Sequence, residues 1–275
     1  MPFLRKITSS ISVILFTGMM AHAAPAADND KFDVVGFKLG MTTDEAQQTL
    51  RDYGADEASI SISRVAFTYS DGVNHNHKTE DFIYRISAGK PVLNQDGKRQ
   101  EDSIILYFSP PPQGGRLVGL QRLLNNEIDP ITANEFRAAV IGKYGEPQGT
   151  NFAAINWKFG GGTQNCVSND TKGMGISLPA TSRNQSILDL VYANSGTGYL
   201  LDRFRIGRVK SLDQCANMLE YTIAAQGDMP ATRVQATMID VQSWVKAELA
   251  AGEEVEKLRK AAVEKRMGGG KKPAL

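Results

Sequence analysis

The feature that most limits how this chain can fold is a short phrase that occurs twice. Thr42-Thr43-Asp44-Glu45 is followed by Ala46, Leu50 and Tyr53 at helical spacing and then by Gly54. Thr132-Ala133-Asn134-Glu135 is followed by Phe136, Val140 and Tyr144 and then by Gly145, with one extra residue in the second copy. In each, the threonine hydroxyl accepts from the amide three residues on while the glutamate returns a bond to the threonine amide, a capping box. The glycine supplies the turn that ends the helix, and Pro147 bars the second one from continuing. The two threonines lie 90 positions apart. A phrase repeated at that distance predicts two copies of one structural unit.

Each helix leads into strand-like sequence. In the first copy Ile60, Ile62, Val65, Phe67 and Tyr69 form a β-rich run whose apolar phase slips between Ile62 and Val65, as a bulge would make it do. Further runs cover 82–86, 104–108 and 116–124; Asp96-Gly97 falls where a hairpin tip is expected, and a Pro-Gly turn covers 110–115. The second copy offers 153–159, 187–193, 219–225 and 234–239, with an excursion rich in Gly, Asn, Ser and Thr over 160–186. From Met238 the pattern turns helical, and Glu253/Lys257 and Glu256/Lys260 stand at i,i+4. The expected fold is α+β, with repeated units at 31–129 and 130–243. Each unit is a helix packed on an antiparallel sheet of about four strands. A C-terminal helix at 244–267 and a disordered tail at 268–275 complete the chain.

Gly36-x-x-x-Gly40-Met41-Thr42-x-x-Glu45, followed by an apolar helix and Gly54, resembles the opening of small bacterial envelope domains. These are the outer-membrane-assembly lipoproteins of the SmpA/BamE type and the β-lactamase inhibitor proteins. The resemblance is strong over 36–54, weaker over 132–147 and topological elsewhere. It implies a helical segment on an antiparallel sheet, in tandem as in the inhibitors, and a protein that grips other proteins. The chain departs from the lipoproteins in lacking a Cys after its leader, and no enzyme-inhibiting loop is identifiable.

That leader reads as an export signal at 1–23. Arg5 and Lys6 precede a mostly apolar stretch over 11–20, and Ala21-His22-Ala23 has the small-x-small pattern that signal peptidase cleaves. The apolar run falls short of the ~20 residues a membrane-spanning helix takes. The expected product is periplasmic or secreted, with no membrane anchor. Cys166 and Cys215, the two cysteines, are then expected to pair in an oxidising compartment. Net charge is +1 from 31 basic and 30 acidic residues, and it becomes −1 once Arg5 and Lys6 are removed, which argues against a nucleic-acid partner.

Chemistry-bearing clusters are scarce. The two histidines left after cleavage, His75 and His77, lie in a polar loop with Asp71 and Glu80. They are the weak candidates for metal ligands, and a lone His-x-His in such a loop is more often a solvated connection between strands. No nucleophile motif neighbours them, Gly160-Gly161-Gly162 opens no helix, and Ser195 lacks the flanking glycines of a nucleophile elbow. No catalytic residue and no cofactor are expected. Arg203, Phe204, Arg205 and Arg208 make a basic segment with one aromatic, the candidate recognition loop. Trp157 is expected in the core. The reading is therefore a soluble exported protein acting by non-covalent recognition of another envelope or extracellular protein. A carrier of a small molecule or lipid, using a groove between the units, is the alternative, and an enzyme comes third.

Overall fold

The structure, a computed structural model, describes residues 31–73, 75–167, 175, 176, 178, 187 and 211–268. The leader at 1–23, the recognition loop at Arg203, Phe204, Arg205 and Arg208, Ser195 and the tail beyond Gly268 lie outside the described residues.

Both repeated phrases form the helices they predict. Helix α1 spans Thr43–Tyr53 and α2 spans Ala133–Tyr144. In α1 the Glu45 amide donates to Thr42 Oγ1 at 3.2 Å and the Thr42 amide to Glu45 Oε2 at 2.7 Å. In α2 the same bonds join Glu135 and Thr132 at 3.2 and 2.8 Å. Each carboxyl is held below the usual range by the threonine amide that donates to it. Gly54 ends α1 at φ +77°, with its amide on Leu50 and Arg51, and Gly145 ends α2 at φ +80°. The third helix, α3, runs Val241–Gly268, so the expected 244–267 helix begins three residues early and ends one later.

The strands are β1 (Ser61–Val65), β2 (Thr68–Ser70), β3 (Asn76–Lys78), β4 (Phe82–Leu93), β5 (Arg99–Phe108), β6 (Leu117–Asn126), β7 (Gly149–Thr150), β8 (Ala154–Phe159), β9 (Asn217–Ile223) and β10 (Arg233–Ile239). Eight of them form one antiparallel sheet in the order β1-β4-β5-β6-β10-β9-β8-β7. This corrects the expectation of separate sheets of about four strands. Strand β6 pairs with β10 from Gly119↔Ile239 to Asn125↔Arg233, so the last strand of each set hides its free edge against the other.

Local details match the sequence pattern in part. The Ile62–Val65 slip is a register shift between Ser63 and Arg64, and its extra residue, Tyr84, sits on the partner strand β4. The β4–β5 tip turns through Gly97 at φ +76°. The expected strand over 187–193 does not begin at Ile187, which is helical, and the rest of it lies outside the described residues. What reads as a polar loop at 71–81 includes β3, which pairs with β2 to make a two-stranded hairpin off the main sheet.

Alternation sends side chains to two cores. On one face α1 and α2 pack through Ala46, Leu50, Val140 and Tyr144 onto Ile86, Ile104, Leu106, Trp157, Leu219 and Tyr221. Trp157 is fully buried, as expected. The segment before α1 crosses this face, and Phe32 stacks on Phe159 at 4.3 Å. On the other face α3 lays Trp244 and Val245 on Tyr107, Val118, Met218 and the Cys166–Cys215 disulfide. Gly119 makes that approach possible, since a Cβ there would come within 2.6 Å of the Trp244 ring.

Candidate recess along the C-terminal helix

Helix α3 is anchored at its start and outruns its core. Val241, Trp244, Val245, Ala247, Glu248 and Ala251 are buried, and nothing beyond Ala251 is. At 28 residues it is ~42 Å long, far more than the sheet face needs. Its second half instead runs beside the β2–β3 hairpin, with Leu258 and Ala262 on the hairpin side.

Between them lies a recess of about 410 Å³. Its walls are Val65, Ala66, Phe67 and Thr68 leading into β2, Phe82 and Tyr84 of β4, Pro110, and Glu248, Gly252 and Val255 of α3. The volume is in the range of small-molecule sites. Phe67 and Phe82 meet at 5.1 Å between ring centres, and Tyr84, Tyr107 and Trp244 continue the aromatic surface into the core. Gly252 contributes no side chain to this wall, and a Cβ there would enter open space, meeting nothing within 4 Å. Glu248, 7% exposed, closes the inner end by accepting from Trp244 Nε1 at 3.0 Å and from the Ile187 amide at 2.9 Å.

One residue along β2 and one turn along α3, a second recess of about 620 Å³ is lined by Tyr69, Asp71, His77, Leu258, Ala261, Ala262, Lys265 and Arg266. Here the structure places one of the two histidines singled out by sequence. The His77 ring stacks on Tyr69 at 5.2 Å, and its Nε2 is buried with no hydrogen-bond partner among the described residues. Asp71 is held below the usual carboxyl range, first by the Val73 amide, then by the charges of His75, Arg266 and His77. The Arg266 Nε lies 3.9 Å from its Oδ2. No group of three or more His, Cys, Asp or Glu side chains among the described residues is placed to hold a metal ion.

Two other features were hidden from sequence reasoning. On the α1/α2 face Arg122 of β6 makes a two-pronged pair with Asp102 of β5, at 2.5 Å (Nη2–Oδ2) and 2.9 Å (Nε–Oδ1), and the Tyr53 hydroxyl donates to the same carboxylate. Burial, then the bond to Asp102, pushes the Tyr53 phenol up to about 12. Asp102 is buried and Arg122 half-buried, and the bonds link α1, β5 and β6 on that face. At one end of the molecule Ile131, Phe152 and Met229 are 49%, 72% and 62% exposed, tied to one region by the Ala133 amide on the Met229 carbonyl and by Arg137 on the Phe152 carbonyl. Among the described residues no helix is long and apolar enough to cross a membrane.

No family model, curated protein or solved structure matches the chain.

Proposed function

We propose that this is an exported binding protein of the cell envelope whose ligand is a small, largely apolar molecule held in the recess between β4 and α3. The observation that carries this reading is the recess itself. It is aromatic-walled, sized for a ligand, and lined on the α3 side by a glycine in the interior of a helix, where glycine costs ~1 kcal/mol relative to alanine. The sequence favoured a protein partner and placed a carrier's groove between two units. The recess belongs to α3 and the first set of strands instead, and α1, α2 and α3 occupy both sheet faces. Export and a periplasmic or secreted location remain part of the proposal, supported by the Cys166–Cys215 bond. We expect no catalysis and no cofactor.

A duplicated origin is part of the same reading. In support, the strand order mirrors about the β6–β10 seam. The residue before each capping threonine also accepts a matching bond: Met41 from the Leu117 amide at 2.7 Å and Ile131 from the Ala231 amide at 2.8 Å. The likeness to tandem inhibitor-type domains rests on the 36–54 motif and this order. Protein recognition stands as the second reading, favoured by Ile131, Phe152 and Met229.

The test is displacement of a neutral fluorescent naphthylamine from the mature protein. Gly252→Leu, which fills the recess from an exposed helix position, should abolish dye binding while far-UV circular dichroism stays unchanged. Undiminished binding by that variant would reject the recess as the ligand site.

A further inference from the structure

The reading of the recess as a ligand site can be carried to a ligand class, because the two hollows beside α3 differ in chemistry and adjoin. Thr68 lines the first and Tyr69 the second; Val255 lines the first and Leu258 the second. From Glu248 to Arg266 the seam follows 18 residues of helix, ~27 Å. Its inner end offers Phe67, Phe82, Tyr84 and Val255, which reward burial of hydrocarbon. Its outer end offers two cations, Lys265 and Arg266, against one carboxylate, Asp71, with the His77 ring beside them. Asp71 is 5% exposed and already engaged by the Val73 amide and Arg266, so Lys265 is the charge left for a ligand head.

We infer that the seam takes a single-chain anionic amphiphile, its hydrocarbon chain along Phe67, Phe82 and Val255 and its carboxylate or phosphate head at Lys265. The inference rests on the proposed recess, and it adds a polarity to it. An apolar slot alone is indifferent to head group. A slot that ends in excess positive charge favours an anion and disfavours a cation by the same Coulombic interaction. The occupant is a monomeric amphiphile rather than a bilayer surface, since the chain-binding end is a walled recess closed by Glu248 rather than an exposed apolar face.

Calorimetric titration of the mature protein with three twelve-carbon probes below their micelle concentrations separates the recess from its head-group preference. Dodecanoate, dodecyl maltoside and dodecyltrimethylammonium should all lose binding in Gly252→Leu. In the unaltered protein dodecanoate should bind about fivefold more tightly than the cationic probe at low salt, with the gap closing as salt rises. Lys265→Glu, an exposed change, should weaken dodecanoate and leave the maltoside unchanged. Equal affinity for the three heads, with Gly252→Leu still blocking them, would overturn the head-group inference and spare the recess. Failure of every probe would overturn the recess reading. Binding to phosphatidylglycerol vesicles without binding of monomeric dodecanoate would overturn the choice of a monomer over a membrane.

Discussion

The two helix-ending tyrosines occupy matching places and meet opposite chemistry. Tyr53, before Gly54, reaches Asp102 on β5, which is locked to Arg122 on β6. Tyr144, before Gly145, reaches Tyr221 on β9 at 3.2 Å, inside a cluster with Phe32, Phe136 and Trp157. Across the seam from Arg122 stands Ala236. One half thus orders its helix face with a buried ion pair, and the other with stacked rings. A helix motif can recur while the strand partners beneath it diverge, provided each tyrosine hydroxyl keeps an acceptor. Burial raises the phenol in both halves, to about 12 for Tyr144 as for Tyr53.

The comparison is broken most forcefully at Arg122. Arg122→Leu leaves the Asp102 carboxylate, 2% exposed, facing only a phenol, and should cost about 3–5 kcal/mol by urea denaturation. Tyr221→Phe in the other half removes one neutral bond, while the Tyr144 hydroxyl keeps the Asp33 carbonyl at 2.5 Å, so the cost should be about 1 kcal/mol. Equal costs would mean that the charged half is no more dependent on its pair than the aromatic half. Joint replacement of Asp102 and Arg122 by leucine should recover most of the loss, because the penalty lies in the stranded charge.

The halves also differ in what they insert. The first sends out the β2–β3 hairpin between β1 and β4, and the second sends out the excursion between β8 and β9 that carries the disulfide. The disulfide lies under Trp244, and the hairpin lies along the second half of α3. The disulfide joins cysteines 49 positions apart, and Gly162 lets the chain pass there, since a Cβ would collide with the Cys215 carbonyl oxygen. Cys166→Ala with Cys215→Ala should cost about 2–4 kcal/mol and loosen the base of α3. Hydrogen exchange should show protection lost around 241–251 and kept in α1. Loss spread evenly over both sheet faces would contradict the separation of the two cores.

Legibility tracks the range of the interactions. Capping boxes, helix stops and the 96–97 turn are written within a few residues, so they could be read. The merging of the sheet could not, because periodicity says that 117–126 and 233–239 are strands and nothing about which edges meet. Asp102, Arg122 and Tyr53 are separated by 20 and 49 positions and share no local signature. The recess is assembled from four segments, 65–68, 82–84, Pro110 and α3. Gly252 was the one signal available for it, a glycine in the interior of a helix that charge pairs otherwise support. His75 and His77 drew attention by residue type, and His77 lines the second recess.

The smallest effect concerns what the halves share most closely. Thr42→Ala and Thr132→Ala each delete one cap acceptor and should each cost about 1 kcal/mol, equal within error if the two helix starts are equivalent. A cost at one threonine alone would confine the likeness to sequence. Acid sharpens the point. Glu45 and Glu135 have carboxyl groups lowered in the folded state, so their contribution is present above the unfolded carboxylate range and is lost as pH falls through the folded value. Glu45→Gln and Glu135→Gln should therefore be less stable than the parent at pH 7 and should converge with it at pH 3, in a thermal-melting series run at constant ionic strength. A gap that persists at pH 3 would assign the glutamates' contribution to packing rather than to charge on the threonine amide.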